Sequence, residues 1–150
     1  MPLRPHPAMA RRSAPLPARA RCRAEPYNWT LFGAYVEAAS APALPETKRL
    51  YDRLLALGIK PVILTGRRED KREATARNLA AAGYTGYEKL LLKPQDARVH
   101  AVEFKSGERQ KLVDAGYRIV GNMGDQWSDL VGAPEGDRTF KVPDPMYYVA

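Results

Sequence analysis

Apolar positions change their spacing several times along the chain, and each change marks an element. Trp29, Leu31, Phe32, Tyr35 and Val36 fit one face of a short amphipathic helix. Pro45 suits the first turn of a second helix, because the N–H it lacks would have no partner there. Leu50, Tyr51, Leu54, Leu55 and Leu57 then form an apolar stripe, and Gly58 closes the helix. Residues 59–64 are rich in β-branched side chains and read as a buried strand, with Thr65-Gly66-Arg67 as the turn after it. The alternation then repeats. Residues 69–82 read as a helix with Asp70 and Glu73 in its first turns and Gly83 past its end. Residues 87–92 read as a strand halted near Pro94, and residues 106–115 as a helix ended by Gly116. Residues 117–122 read as a strand running into Gly124-Asp125, and residues 139–142 as one more before Pro143 and Pro145. Helices alternating with short apolar strands predict an α/β fold with a parallel sheet.

Residues 1–26 break this pattern. Six prolines (Pro2, Pro5, Pro7, Pro15, Pro17, Pro26) deny a helix its donors, and little apolar surface is available to offset ordering entropy. This stretch is expected to be a disordered Arg/Pro-rich tail, with residues 27–150 as one domain. It resembles an organelle transit peptide in being Arg-rich and acid-poor, but Ser13 is its sole serine. A leader without function, or a wrongly assigned first exon, is the plainer expectation.

The tail also explains the charge. Residues 1–24 hold Arg4, Arg11, Arg12, Arg19, Arg21 and Arg23 and no acid. The chain's 24 basic residues less these six leave 18 against 17 acidic ones, so six of the seven net positive charges lie in residues 1–24. A nucleic-acid partner is not expected, since that function places its basic residues on a folded face. Cys22 is the single cysteine, so no internal disulfide can form. No apolar run approaches the ~18 residues that span a membrane, and residues 1–26 contain no apolar core of a secretory leader. Asn28-Trp29-Thr30 is a glycosylation sequon, read as a chance match without such a leader.

Ligands of open parallel sheets bind outside the carboxyl ends of the strands. Thr65 and Asp125 each follow an expected strand there, and Asp129 comes four residues after Asp125. A hydroxyl and two carboxylates would then converge on one crevice. Each feature has a structural alternative. Thr65-Gly66-Arg67 suits a turn. Asp125 and Asp129 suit an N-cap and a first-turn acid. Lys105 suits a solvated surface.

The order of these features resembles three of the four motifs of the haloacid-dehalogenase (HAD) superfamily. Leu64-Thr65-Gly66-Arg67 is similar to motif II, Phe104-Lys105-Ser106 to motif III, and Gly124-Asp125-Gln126-Trp127-Ser128-Asp129-Leu130 to motif IV. Ala41-Pro42-Ala43-Leu44-Pro45, Gly116-Tyr117-Arg118-Ile119 and Pro143-Asp144-Pro145-Met146-Tyr147-Tyr148 narrow the resemblance to the plant acid phosphatase and vegetative storage protein family. The resemblance spans roughly residues 27–150. It implies a HAD-type, Rossmann-like three-layer parallel sheet and a phosphomonoester substrate. Thr65, Gly66 and Lys105 would hold the phosphoryl group, with Thr65 and Lys105 as the catalytic residues. Asp125 and Asp129 would help hold Mg²⁺, which takes few carboxylates, several waters and phosphate oxygens. Phosphoryl transfer is largely positioning and charge neutralisation, which these residue types supply.

The family's first motif is an apolar strand ending in Asp-x-Asp-x-Thr, whose first Asp is the nucleophile and whose second is the general acid and base. None of the eight aspartates here (Asp52, Asp70, Asp96, Asp114, Asp125, Asp129, Asp137, Asp144) is two residues from another. Loss of a nucleophile can cost on the order of 10⁶ in rate. The resemblance therefore implies a chain inactive or nearly so, with weakened Mg²⁺ binding. A truncated gene product is the first explanation, and a non-catalytic storage-type or phosphate-binding protein is the alternative. The family is often secreted or vacuolar, and the compartment stays open. The motif's strand is central in the family's sheet. Its neighbours, residues 59–64 and 117–122, are expected either to pair directly or to leave a split sheet of marginal stability.

Overall fold

A computed structural model of the chain describes residues 28–144, together with the backbone of 25–26 and 147–148. Residues 1–24, which hold most of the expected disordered tail, lie outside the described residues. Glu25–Pro26 forms a short strand, β1, parallel to Tyr147–Tyr148.

The first two helices begin where local chemistry starts them. Asn28 caps α1 (Trp29–Ala38), its Oδ1 accepting from the backbone N–H groups of Thr30 and Leu31 at 3.1 Å each. The sequon asparagine thus has a structural task. Val36 is buried at 3% exposure and α1 packs on α3, but Trp29 projects into solvent. The expected apolar face is therefore only partly used. α2 (Pro45–Ala56) starts at the proline, and Gly58 follows its end with φ +76°. Of its stripe, Tyr51 is buried, and its hydroxyl donates to the carbonyl of Thr85 at 2.8 Å.

The strand expected at residues 59–64 runs instead from Val62 to Arg68 as β2. Thr65-Gly66-Arg67 is therefore strand and not turn. The chain stays paired because the ladder to β3 (Lys89–Lys93) resumes at Arg68 opposite Lys93, after a register shift that follows Thr65 opposite Leu92. Gly66 and Arg67 form the bulge between those pairs. A 3₁₀ turn (Glu69–Lys71) leads into α3 (Arg72–Ala81). There Asn78 clamps Ala41, its Oδ1 accepting from the amide and its Nδ2 donating to the carbonyl.

α4 (Ala101–Asp114) starts five residues earlier than expected and so contains Lys105. Phe104, Lys105, Arg109 and Leu112 are its buried residues. The strand expected at 117–122 is present only as β4 (Asn122–Gly124), parallel to β5 (Thr139–Lys141). Residues 117–121 are outside it, although Ile119 still accepts a hydrogen bond from the Asp137 amide. Between β4 and β5 lies a single turn of helix, α5 (Trp127–Leu130). Tyr147–Tyr148 is β6.

The described strands form three two-stranded parallel sheets: β1 with β6, β2 with β3, and β4 with β5. The fold is α/β, but β2 and β4 do not pair, so of the two expected outcomes the sheet is split. α4 spans the division, packing against β2 on one side and α5 on the other. The split has an energetic counterpart. Strands of a parallel sheet are normally covered on both faces, yet Val62, Ile63 and Leu64 are only half-buried, and Met123 and Phe140 are exposed.

Candidate functional site

Lys105 anchors the site. It sits one turn into α4 and is 5% exposed, so the expectation of a solvated surface lysine is overturned. Burying an ammonium is costly unless it is paired. Its Nζ lies 2.5 Å from Asp129 Oδ1 and donates to Ser128 Oγ at 2.9 Å. Asp129 is in turn the third residue of α5 and closes a capping box with Gln126. The Gln126 amide donates to Asp129 Oδ2 at 3.0 Å. One carboxylate thus joins α4 to the start of α5, and the structural alternative of a first-turn acid describes Asp129 well.

Gly124 allows this approach. A Cβ on it would stand 2.2 Å from the Asp129 Cβ, closer than atoms can come, so only glycine fits at the end of β4. Asp125 follows directly and is half-buried. Burial raises its pKa, and the charges of Asp129 and Asp144 push it the same way, while its own backbone N–H and Gln126 oppose them. The corner therefore has more negative charge than it can comfortably ionise, and Lys105 is its buried positive partner.

Thr65 belongs to a second cluster. Its hydroxyl accepts from the Arg67 amide at 3.3 Å, which leaves its O–H as a donor. Gly66 is exposed in the bulge, and the Arg67 guanidinium lies over the Phe32 ring at 5.7 Å and donates to Thr75 at 3.3 Å. The structure thus joins Lys105, Ser128, Asp129 and Asp125 in one place and Thr65, Gly66 and Arg67 in another. α4, which packs on both β2 and α5, connects the two.

Arg109 is the residue that sequence reasoning missed. It is 4% exposed and bonded on several sides by the loop after α5. Nε donates to the Pro134 carbonyl at 2.7 Å, and the terminal nitrogens reach the carbonyls of Asp129, Val131 and Gly132 and the Ser106 hydroxyl. The available clue is its spacing: Arg109 lies one turn past Lys105, on the face that also carries Phe104 and Leu112.

Mg²⁺ would require oxygens of Asp125 and Asp129. Asp129 has committed Oδ1 to Lys105 and Oδ2 to the Gln126 amide. Among the described residues, no three His, Cys, Asp or Glu side chains are placed to hold a metal ion. The pair as arranged does not fit the metal. No helix among the described residues is long and apolar enough to cross a membrane.

Comparison with known proteins agrees with the resemblance. The family model described as HAD superfamily, subfamily IIIB (Acid phosphatase) matches residues 14–150. The stem 28 kDa glycoprotein of Glycine max is 50% identical over 128 residues, covering 83% of this chain and 50% of that protein. Vegetative storage protein 1 of Arabidopsis thaliana is 50% identical over 110 residues, covering 73% of this chain and 40% of that protein. Acid phosphatase 1 of Solanum lycopersicum is 46% identical over 119 residues, covering 79% and 47% respectively. The chain spans about half the length of these curated relatives.

Proposed function

We infer a phosphate-handling role for this chain, which belongs to the HAD superfamily, subfamily IIIB, the acid phosphatases. The proposed role is to bind a phosphomonoester or free phosphate and to turn the ester over slowly at most. The observation that carries this reading is the retention of Thr65 and a buried Lys105 in a sequence that holds no Asp-x-Asp. The Thr65 O–H and Gly66 N–H would supply donors for phosphoryl oxygens, while Lys105, paired with Asp129, would act through its charge alone. No group here can play both nucleophile and general acid as a tandem Asp pair does.

The fold supports the same reading. The division between β2–β3 and β4–β5 suits a HAD-type, Rossmann-like three-layer sheet that lacks its central strand, with α4 bridging the empty place. Superfamily members generally depend on Mg²⁺, but the proposed phosphate binding needs no metal, and Asp129 is held by Lys105.

Calorimetric titration with inorganic phosphate tests the reading. Binding on the order of millimolar, weakened in a Thr65→Ala variant, is expected. No heat at tens of millimolar phosphate would contradict it. A storage-type role is the second reading. It is favoured by 50% identity to a stem glycoprotein and to a protein named for vegetative storage, and absence of phosphate binding would move the account to it.

A further inference from the structure

We propose that Lys105 is the resident cation of the acidic corner after β4, and that this corner rejects divalent metal ions for as long as the lysine is in place. The proposal goes beyond phosphate binding and does not depend on it.

Two carboxylates, Asp125 and Asp129, stand four residues apart at the end of β4 and the start of α5. Asp144 adds a third negative charge near Asp125, and its Oδ2 accepts from Gln126 Nε2 at 2.5 Å. Two carboxylates and water are enough oxygen for Mg²⁺. The corner nevertheless uses its best-placed oxygen on a side chain. Lys105 Nζ is 2.5 Å from Asp129 Oδ1, and the two side chains are only 7% and 15% exposed. Ser128 Oγ accepts a second hydrogen bond from the ammonium, and the Gln126 backbone N–H donates to the other oxygen of Asp129.

A metal ion approaching Asp129 would have to displace this ammonium. The lysine has little freedom to withdraw, because its helix is pinned one turn on by Arg109, bonded to the carbonyls of residues 129, 131, 132 and 134. A displaced ammonium would be left buried, unpaired and beside two new positive charges, which is strongly unfavourable. Removing the lysine should have the opposite effect. It leaves Asp125 and Asp129 with uncompensated charge, and divalent affinity should then appear.

Paramagnetic resonance of free Mn²⁺ reads this directly on the full chain. For the wild type, Mn²⁺ should stay free through ~1 mM, the weak end of protein divalent sites. In Lys105→Met, uptake at the same concentration should rise about tenfold or more, the scale on which groups bonded to metal ligands move affinity. Lys105→Gln, which keeps a donor for Ser128 without the charge, should gain in the same direction and serves if Lys105→Met does not fold. Wild-type Mn²⁺ uptake that Asp129→Asn abolishes would overturn the proposal. So would folded lysine variants that bind no more Mn²⁺ than the wild type.

Discussion

Replacing Arg109 by methionine should destabilise the chain by ~3 kcal/mol. Arg109 is 4% exposed and is the common donor to the carbonyls of Asp129, Val131, Gly132 and Pro134. Its two best-formed bonds are Nε to the Pro134 carbonyl at 2.7 Å and a terminal nitrogen to the Val131 carbonyl at 2.8 Å. Hydrogen bonds to charged groups contribute about 1.5–3 kcal/mol each, so these two alone account for ~3–6 kcal/mol. Methionine keeps a similar apolar stem and restores part of the packing, which brings the estimate to the lower end. That is a large share of the ~5–15 kcal/mol typical of a domain. Urea denaturation followed by far-ultraviolet circular dichroism measures the change as a shift in midpoint at constant slope. Arg109→Lys should recover less than half of the loss, since one ammonium cannot bond both ends of the loop as the planar fork does. A loss below ~1 kcal/mol for Arg109→Met would refute the reasoning.

Two further substitutions probe other parts of the account. Gly124→Ala should displace Asp129 from Lys105, because the new Cβ meets the Asp129 side chain at 2.2–2.4 Å; a cost of ~1–3 kcal/mol is expected for such overpacking, and a thermal midpoint equal to the wild type's would contradict it. Tyr117→Phe should change the acid limb of stability. The Tyr117 hydroxyl, 3.1 Å from Glu88, and then Lys60 hold the Glu88 carboxyl below its usual 4.5. A depressed carboxylate stabilises the fold above its unfolded pKa and loses that contribution as pH falls through the folded value. The wild type's advantage over Tyr117→Phe should therefore shrink as pH drops below 4.5, and a difference that grows in acid would be the wrong sign.

Much of the fold was legible because local chemistry sets it. Pro45, Gly58 and Gly83 mark helix ends that the structure places at the same turns, and β3 overlaps the strand expected at residues 87–92, starting two residues later and ending one later. Three features escaped for identifiable reasons. α4 begins at Ala101 after His100, which makes no side-chain cap, so no local signal marks its start. β2 passes through Thr65-Gly66-Arg67 because a bulge absorbs the glycine, and turns and bulges share that residue type. β4 is short because its ladder to β5 begins only at Asn122, a matter of pairing that residues 117–121 do not reveal. At the site, the sequence identified Lys105, Asp125 and Asp129 as residues worth following. The bond between Lys105 and Asp129 spans 24 positions, so it depends on how α4 meets α5, and Arg109 depends on the same packing.

Hydrolysis of p-nitrophenyl phosphate by the purified chain at mildly acidic pH, with and without Mg²⁺, beside a Thr65→Ala, Asp125→Ala double variant, decides whether this chain binds phosphate without turning the ester over. No turnover above that variant is expected in either condition, because a chain that keeps Thr65 and Lys105 without an Asp-x-Asp pair binds phosphate and lacks the group that attacks it. Wild-type turnover that the double variant loses would contradict the account, since some other nucleophile or an activated water would then be at work in this site.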